Sequence, residues 1–184
     1  MGIVGDGLER AVQQAFTRPI PKSAGAQMRY LVRQLKGTRA VADDLGISQR
    51  TVERYVKDQI RRPRADLAQR LEGAVRARWQ PRIREQARRQ AATSTGIVID
   101  TRARFGFTAA PGTTDDARLR HLTIALPPQY AARLFDAQEA GASEQQLRNI
   151  AAEGLGETYF RDSGRRAHGL GVEFTDVEHL EFDL

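Results

Sequence analysis

The stretch GTRAVADDLGISQRTVERYV, residues 37–56, decides how the first half of this chain is read. Its apolar positions suit two short helices joined by a tight turn. Thr38 can cap the first helix, and Val41, Ala42 and Leu45 form its inward face. Ala42 is small where a second helix must cross close by. Gly46 stands where the turn needs a positive φ, which glycine adopts at little cost. Ile47 fills the angle between the helices, and Ser48 caps the second, expected from Gln49 to about Gln59. Val52 turns inward with Tyr55 or Val56. Gln49, Arg50, Thr51, Glu53, Arg54 and Lys57 are left facing outward. These residue types reach base edges and phosphates from the start of a recognition helix. The alternative is an ordinary helical hairpin inside a core.

The electrostatic setting favours nucleic acid. The chain has 184 residues and a net charge of +6. Residues 1–94 hold 20 of its 29 Lys and Arg but only 9 of its 23 Asp and Glu. The first half therefore attracts phosphate and the second half does not. Only Lys22, Lys36 and Lys57 are lysine; arginine suits bidentate contacts to phosphate and guanine. A high-GC genome would account for the arginine-to-lysine ratio but not for the clustering. Arg39, Arg61, Arg62 and Arg64 extend the expected DNA-binding set Ser48, Gln49, Arg50, Thr51, Arg54 and Lys57. The arginine face from Arg76 to Arg89 adds either phosphate contacts or a solvated helix face.

Outward from this stretch, Leu8, Val12, Ala15 and Phe16 mark an amphipathic helix in residues 1–16, broken by Pro19 and Pro21. Ser23 offers an N-cap, and Met28, Leu31, Val32 and Leu35 follow helical spacing. A long helix is expected from Arg64 to about Ala92, kinked or split at Pro81. Residues 91–96, AATSTG, read as a linker. Beyond it the period changes to two. Ile97, Ile99, Thr101, Ala103, Phe105 and Phe107 mark one face of a strand, and Leu122, Ile124 and Leu126 mark another over 118–126. The two suit a hairpin with a long connection. Pro127-Pro128 opens a helix with Tyr130, Leu134 and Phe135; Ser143 and Gln146 form a capping box for the next. Residues 172–184 suit a last strand. The expected fold is α+β. A helical DNA-binding domain spans 1–94, with its helix-turn-helix at about 38–59. An α+β domain spans 95–184.

Several function classes lack support. The chain has no cysteine, so disulfides, thiol catalysis and thiolate metal sites are excluded. His121, His168 and His179 have no metal-ligand spacing. No apolar run suits a transmembrane helix, and residues 1–16, with Asp6 and Glu9, lack a signal-peptide core. A phosphate-binding glycine loop, a nucleophile elbow and a metalloprotease helix are all missing. The loop 109–116 carries PGTTDD, residues 111–116. It reads either as a turn or as an exposed alcohol, Thr113 or Thr114, beside two carboxylates. In the second reading Asp115 and Asp116 help position a divalent ion while the alcohol attacks an activated phosphate.

Over essentially its whole length the chain resembles the telomere terminal proteins of linear Streptomyces-type chromosomes and plasmids. The resemblance rests on residues 1–59, from MGIVGDGLER to ERYVKDQ, and on GFTAAPGTTDDARLRHLTIALPPQYA, residues 106–131. It implies a protein joined covalently to DNA 5′ ends, whose side-chain hydroxyl primes the polymerase that fills the terminal gap. In that family the priming hydroxyl is a threonine of the TTDD loop, which matches Thr114. The resemblance further implies telomeric DNA, a telomere-associated protein on the 3′ overhang and a DNA polymerase as partners. It implies a dNTP as substrate, and Mg²⁺ supplied with polymerase and nucleotide. The protein is then a primer and acceptor of deoxynucleotidylation rather than a complete enzyme, cytoplasmic and held at chromosome ends in the nucleoid. Tyr130 and Tyr159 are rival hydroxyls, both in apolar helical contexts that favour a core role. A third reading is a multimerising replication accessory factor that self-associates by pairing its amphipathic strands between subunits, and no membrane partner is expected. The alternative reading is a helix-turn-helix transcriptional repressor with a C-terminal dimerisation domain.

Overall fold

The computed structural model describes residues 2–108, 118–161 and 171–184, with only the backbone described at 107, 108 and 118. The protein is α+β, with eight α-helices and one three-stranded antiparallel sheet among the described residues. It divides into two compact units, Thr17–Pro81 and Met1–Phe16 with Arg82–Leu184. The division expected at residue 94 is therefore corrected twice, because the first helix and the Arg82–Arg89 run both belong with the sheet.

The Thr17–Pro81 unit is built from α2 (Ala24–Gln34), α3 (Thr38–Leu45), α4 (Gln49–Val56) and α5 (Ala65–Arg78). Met28, Leu31, Val41, Ala42, Leu45, Val52, Tyr55, Leu67, Leu71 and Val75 form its core. These are the apolar positions that recur at helical spacing along the sequence. Ser23 caps α2, its Oγ accepting from Ala26 N at 3.3 Å. The cap of α3 is Gly37 rather than Thr38, whose hydroxyl is engaged by Gln49 instead. The long helix expected from Arg64 breaks after Arg78. Gln80 has φ 45°, and Pro81 opens α6 (Pro81–Gln90), where a missing N–H does no harm. Trp79 seals this end of the unit: its ring lies 4.7 Å from that of Tyr30, and its Nε1 donates to Arg18 O at 3.1 Å.

The other unit opens with α1 (Ile3–Gln14), whose buried face is Val4, Leu8, Ala11 and Val12. The inward Ala15 and Phe16 of the sequence reading fall beyond the helix end and are only half-buried. Residues 91–95, expected as linker, form a π-helical turn continuing α6, with Ala91 fully buried in the core. Thr93 and Ser94 donate back to the carbonyls of Arg89 and Gln90, which lets small polar residues stay helical here. Gly96 then turns the chain into the sheet at φ 73°; a Cβ there would sit 2.2 Å from Leu126 O.

The sheet has the order β2-β1-β3, with β1 (Ile97–Thr108) central, β2 (Arg118–Leu126) and β3 (Gly171–Asp183). The expected hairpin pairing holds, with Ile99 opposite Ile124 and Thr101 opposite Leu122. Ile97, Ile99, Thr101, Ala103 and Phe105 all point into the core. Thr101 tolerates burial because its hydroxyl donates to His179 O at 2.9 Å. The residues between them face solvent on the opposite side. Register shifts at Arg102/Ala103 and Arg104/Phe105 interrupt the alternation of β3. α7 (Pro128–Glu139) and α8 (Glu144–Leu155) pack Tyr130, Leu134, Phe135, Leu147, Ala151 and Leu155 into the same core. The Ser143–Gln146 capping box forms as expected. A second π-helical turn, 156–160, follows α8.

Candidate nucleic-acid interface

Within the Thr17–Pro81 unit, Gly46 adopts φ 61° and ends α3 in the left-handed conformation. Ile47 N then donates to Ala42 O at 2.9 Å, so the chain reverses tightly into α4. Ser48 caps α4: its Oγ accepts from Thr51 N at 3.2 Å and lies 2.8 Å from the Thr51 hydroxyl. Val52 and Tyr55 anchor the inner face of α4, fully and nearly fully buried. The helix is shorter than expected, ending at Val56 rather than Gln59, because Asp58 takes φ 55°. Arg29 from α2 fixes that end, donating to Val56 O at 2.9 Å and pairing with Asp58 at 2.8 Å.

The polar residues expected at the interface separate into two groups. Ser48 and Thr51 are used in the cap. Gln49 Nε2 donates to Thr38 Oγ1 at 3.0 Å and to Glu53 Oε1 at 3.1 Å, tying the start of α4 to the start of α3. Arg39, Arg50, Arg54, Lys57, Arg61, Arg62 and Arg64 are exposed, and their side chains make no hydrogen bond or ion pair with described residues. Most other arginines of this unit are engaged. Arg70 donates to Leu45 O at 2.6 Å and pairs with Asp66 at 3.0 Å. Arg78 pairs with Asp44 at 2.7 Å, and Arg76 with Glu72 at 2.6 Å. The unit holds 15 Lys and Arg against 6 Asp and Glu, so its unpaired cations sit in a strongly positive field.

The Arg76–Arg89 face does not act as one basic stripe. Arg76 and Arg78 are paired as above, and Arg89 pairs with Glu85. Arg84 makes a bidentate pair with Glu9, both bonds 2.6 Å, and its side chain is 12% exposed. Arg88 lies over the Phe135 ring at 5.5 Å, and burial pushes its pKa down from the ordinary arginine value. Of this run only Arg82 is exposed and unengaged among the described residues.

Thr113, Thr114, Asp115 and Asp116 lie outside the described residues, as does His168. The rival tyrosines are described and differ from each other. Tyr130 is buried and its hydroxyl donates to Glu157; burial first, and then this carboxylate, push its pKa well above the ordinary tyrosine value. Tyr159 is 42% exposed, which corrects its assignment to the core; its ring stands edge-on to Phe160. Phe160 in turn packs 5.4 Å from Phe105 and beneath Arg120, beside the strand ends that residues 109–117 connect.

One constellation was not legible beforehand. Asp100 on β1 is shared between His121 of β2, 3.1 Å from its Oδ1, and His179 of β3, 3.5 Å from the same oxygen. The Thr123 hydroxyl donates to the other carboxylate oxygen at 2.5 Å. Hydrogen bonds from Thr123 and His121 hold the Asp100 carboxyl below the usual carboxylate range. The two histidines are 58 positions apart, and only the sheet order brings both beside one strand. No group of three or more His, Asp and Glu among the described residues could hold a metal ion. No helix among the described residues is long and apolar enough to cross a membrane.

Comparison with protein-family models, curated proteins and solved structures gives no match for this chain.

Proposed function

We propose that this chain is a DNA-terminal protein that primes the filling of chromosome-end gaps through a threonine hydroxyl. One observation supports its DNA-binding part. The Thr17–Pro81 unit presents Arg50 and Arg54 on the outer face of a short capped helix and Lys57 at its C-terminal end, all unpaired among the described residues, while neighbouring arginines are engaged by carboxylates or carbonyls. Unpaired cations on a rigid helix behind a tight turn suit a recognition helix in the major groove of DNA. The priming part rests on the resemblance carried by residues 106–131, and Thr114 is the residue it designates.

In this reading Thr114 Oγ attacks the α-phosphorus of a deoxynucleoside triphosphate. The new Oγ–P bond replaces the bond to the β-phosphate bridge, pyrophosphate leaves, and the hydroxyl proton passes to a base. The 3′-hydroxyl of the attached nucleotide then serves the polymerase. In this reading the Mg²⁺ is supplied with polymerase and nucleotide, and Asp115 and Asp116 help position it.

The test is covalent labelling. Protein is mixed with α-labelled dNTPs, Mg²⁺, a chromosome-end template, a DNA polymerase and the protein that binds the 3′ overhang, then run on a denaturing gel. A labelled band that Thr114→Ala abolishes and Thr113→Ala retains supports the proposal. A band retained in both variants moves the hydroxyl elsewhere, and exposed Tyr159 is tested before buried Tyr130. No label, with a palindromic footprint and DNA that detergent extracts, gives the chain to the repressor class instead.

A further inference from the structure

A second basic feature of the Thr17–Pro81 unit is built from residues outside α4. Lys22 and Ser23 at the entry to α2, and Arg61, Arg62 and Pro63 of the connector between α4 and α5, line a cleft of about 420 Å³. Lys22, Arg61 and Arg62 are exposed, and none has a hydrogen-bonding or ion-pairing partner among the described residues. Three like charges around one concavity repel one another, an arrangement that becomes favourable when an anion sits between them. The only carboxylate on the lining, Glu72, already accepts from Arg76 at 2.6 Å.

The cations are also held by stiff backbone. Lys22 follows Pro21, whose carbonyl is fixed by Gln27 Nε2 at 2.9 Å. Arg62 precedes Pro63, which restricts the backbone of both residues. Less conformational freedom is therefore lost when these side chains close on a ligand than from an open loop. The lining takes no residue from α4, the helix that would read bases, and it carries positive charge on two walls and no aromatic ring on which a base could stack; both suit a phosphodiester rather than a base.

We propose that this cleft grips the sugar–phosphate backbone of duplex DNA, as a positioning contact separate from base reading by α4. The inference rests on the DNA-binding reading above and adds Lys22 to the residues it uses. Phosphate contacts of this kind orient a protein on the duplex without carrying sequence information.

The experiment measures affinity for a mixed-sequence duplex across a salt series. It uses the full chain and the variants Lys22→Ala, Arg61→Ala, Arg62→Ala and their triple combination, with Arg50→Ala and Arg54→Ala as reference. Each cleft variant is expected to weaken all sequences alike and to lower the slope of log affinity against log salt by roughly 1. The triple variant is expected to lower it by roughly 3. Lys22→Arg, which keeps the charge, retains the wild-type slope. The Trp79 fluorescence melt, which reports on the fold of this unit, stays unchanged. A triple variant with the wild-type slope, while Arg50→Ala still weakens binding, overturns the cleft and leaves α4 as the interface. If Arg50→Ala and Arg54→Ala also leave affinity unchanged, or the wild type does not bind duplex, the DNA-binding reading falls with it. Competition by free dNTP at constant ionic strength, lost in the triple variant, would give the cleft to nucleotide and overturn its assignment to backbone.

Discussion

Replacing Glu9 by Gln tests whether the first helix of the chain is part of the sheet-bearing fold. Glu9 accepts from both Nη atoms of Arg84 at 2.6 Å, and Gln13 adds a third bond at 3.0 Å. The two side chains of the pair are 20% and 12% exposed. A neutral amide can accept at only one atom, so one arginine N–H faces an NH₂ donor. Breaking a fully buried pair from one side costs about 3–5 kcal/mol. With this residual exposure we expect about 2–3 kcal/mol. A unit of this size shifts its melting temperature by roughly 4 °C per kcal/mol, so the expected fall is about 10 °C.

The readout can separate the units, because the single tryptophan, Trp79, lies in Thr17–Pro81. Far-ultraviolet circular dichroism should show an early transition in Glu9→Gln while the Trp79 fluorescence melt stays in place. Burial raises the Glu9 pKa, but hydrogen bonds from Arg84 and Gln13 and the charges of Arg84 and Arg88 outweigh it. The net value lies below the ordinary 4.5. A carboxylate with a depressed folded pKa stabilises above its unfolded value, and the stabilisation is lost as pH falls through the folded one. The gap between wild type and Glu9→Gln should therefore be full above about pH 4.5 and close on further acidification. An unchanged dichroism melt, or a shift in the Trp79 transition instead, would refute the placement of α1.

Other outcomes follow from single contacts. Ser48→Ala removes the acceptor for Thr51 N and should destabilise the Thr17–Pro81 unit by about 1 kcal/mol, measured by urea unfolding followed at Trp79. Gly96→Ala places a Cβ 2.2 Å from Leu126 O, at φ 73°, and should lower the melting temperature of the sheet-bearing unit while Gly37→Ala, with open space around it, does not. Arg50→Ala and Arg54→Ala should each weaken binding to a preferred duplex by about 1–3 kcal/mol in a fluorescence-anisotropy titration, with no change in the Trp79 melt. Tyr159→Phe should leave protein labelling intact if Thr114 carries the nucleotide, read on the same denaturing gel.

Helices α2–α5 could be drawn from local pattern because each buries a stripe at helical spacing, while several of their ends, such as the Gly37 cap of α3 and the end of α4 at Val56, could not. Gly46 and Ser48 set the turn and cap without help from distant residues. The strands 97–108 and 118–126 were legible for the same reason: one face is buried, so the alternation is strict and fixes the register. The charge bias of the first half is likewise a property of sequence alone.

Which arginines remain available was decided by tertiary structure. Arg50 and Arg84 look alike in a basic sequence, yet one faces solvent and the other closes on Glu9 across 75 positions. The same holds for α1. Its apolar stripe declares a buried face without naming the surface that covers it, and Glu144, 140 residues away, accepts the hydrogen bond from Val4 N. Asp100, His121 and His179 became neighbours only when β1 was placed between β2 and β3. Periodicity and caps are local and survive in the sequence. Pairing partners are chosen by packing, which brings together residues whose separation along the chain carries no signal.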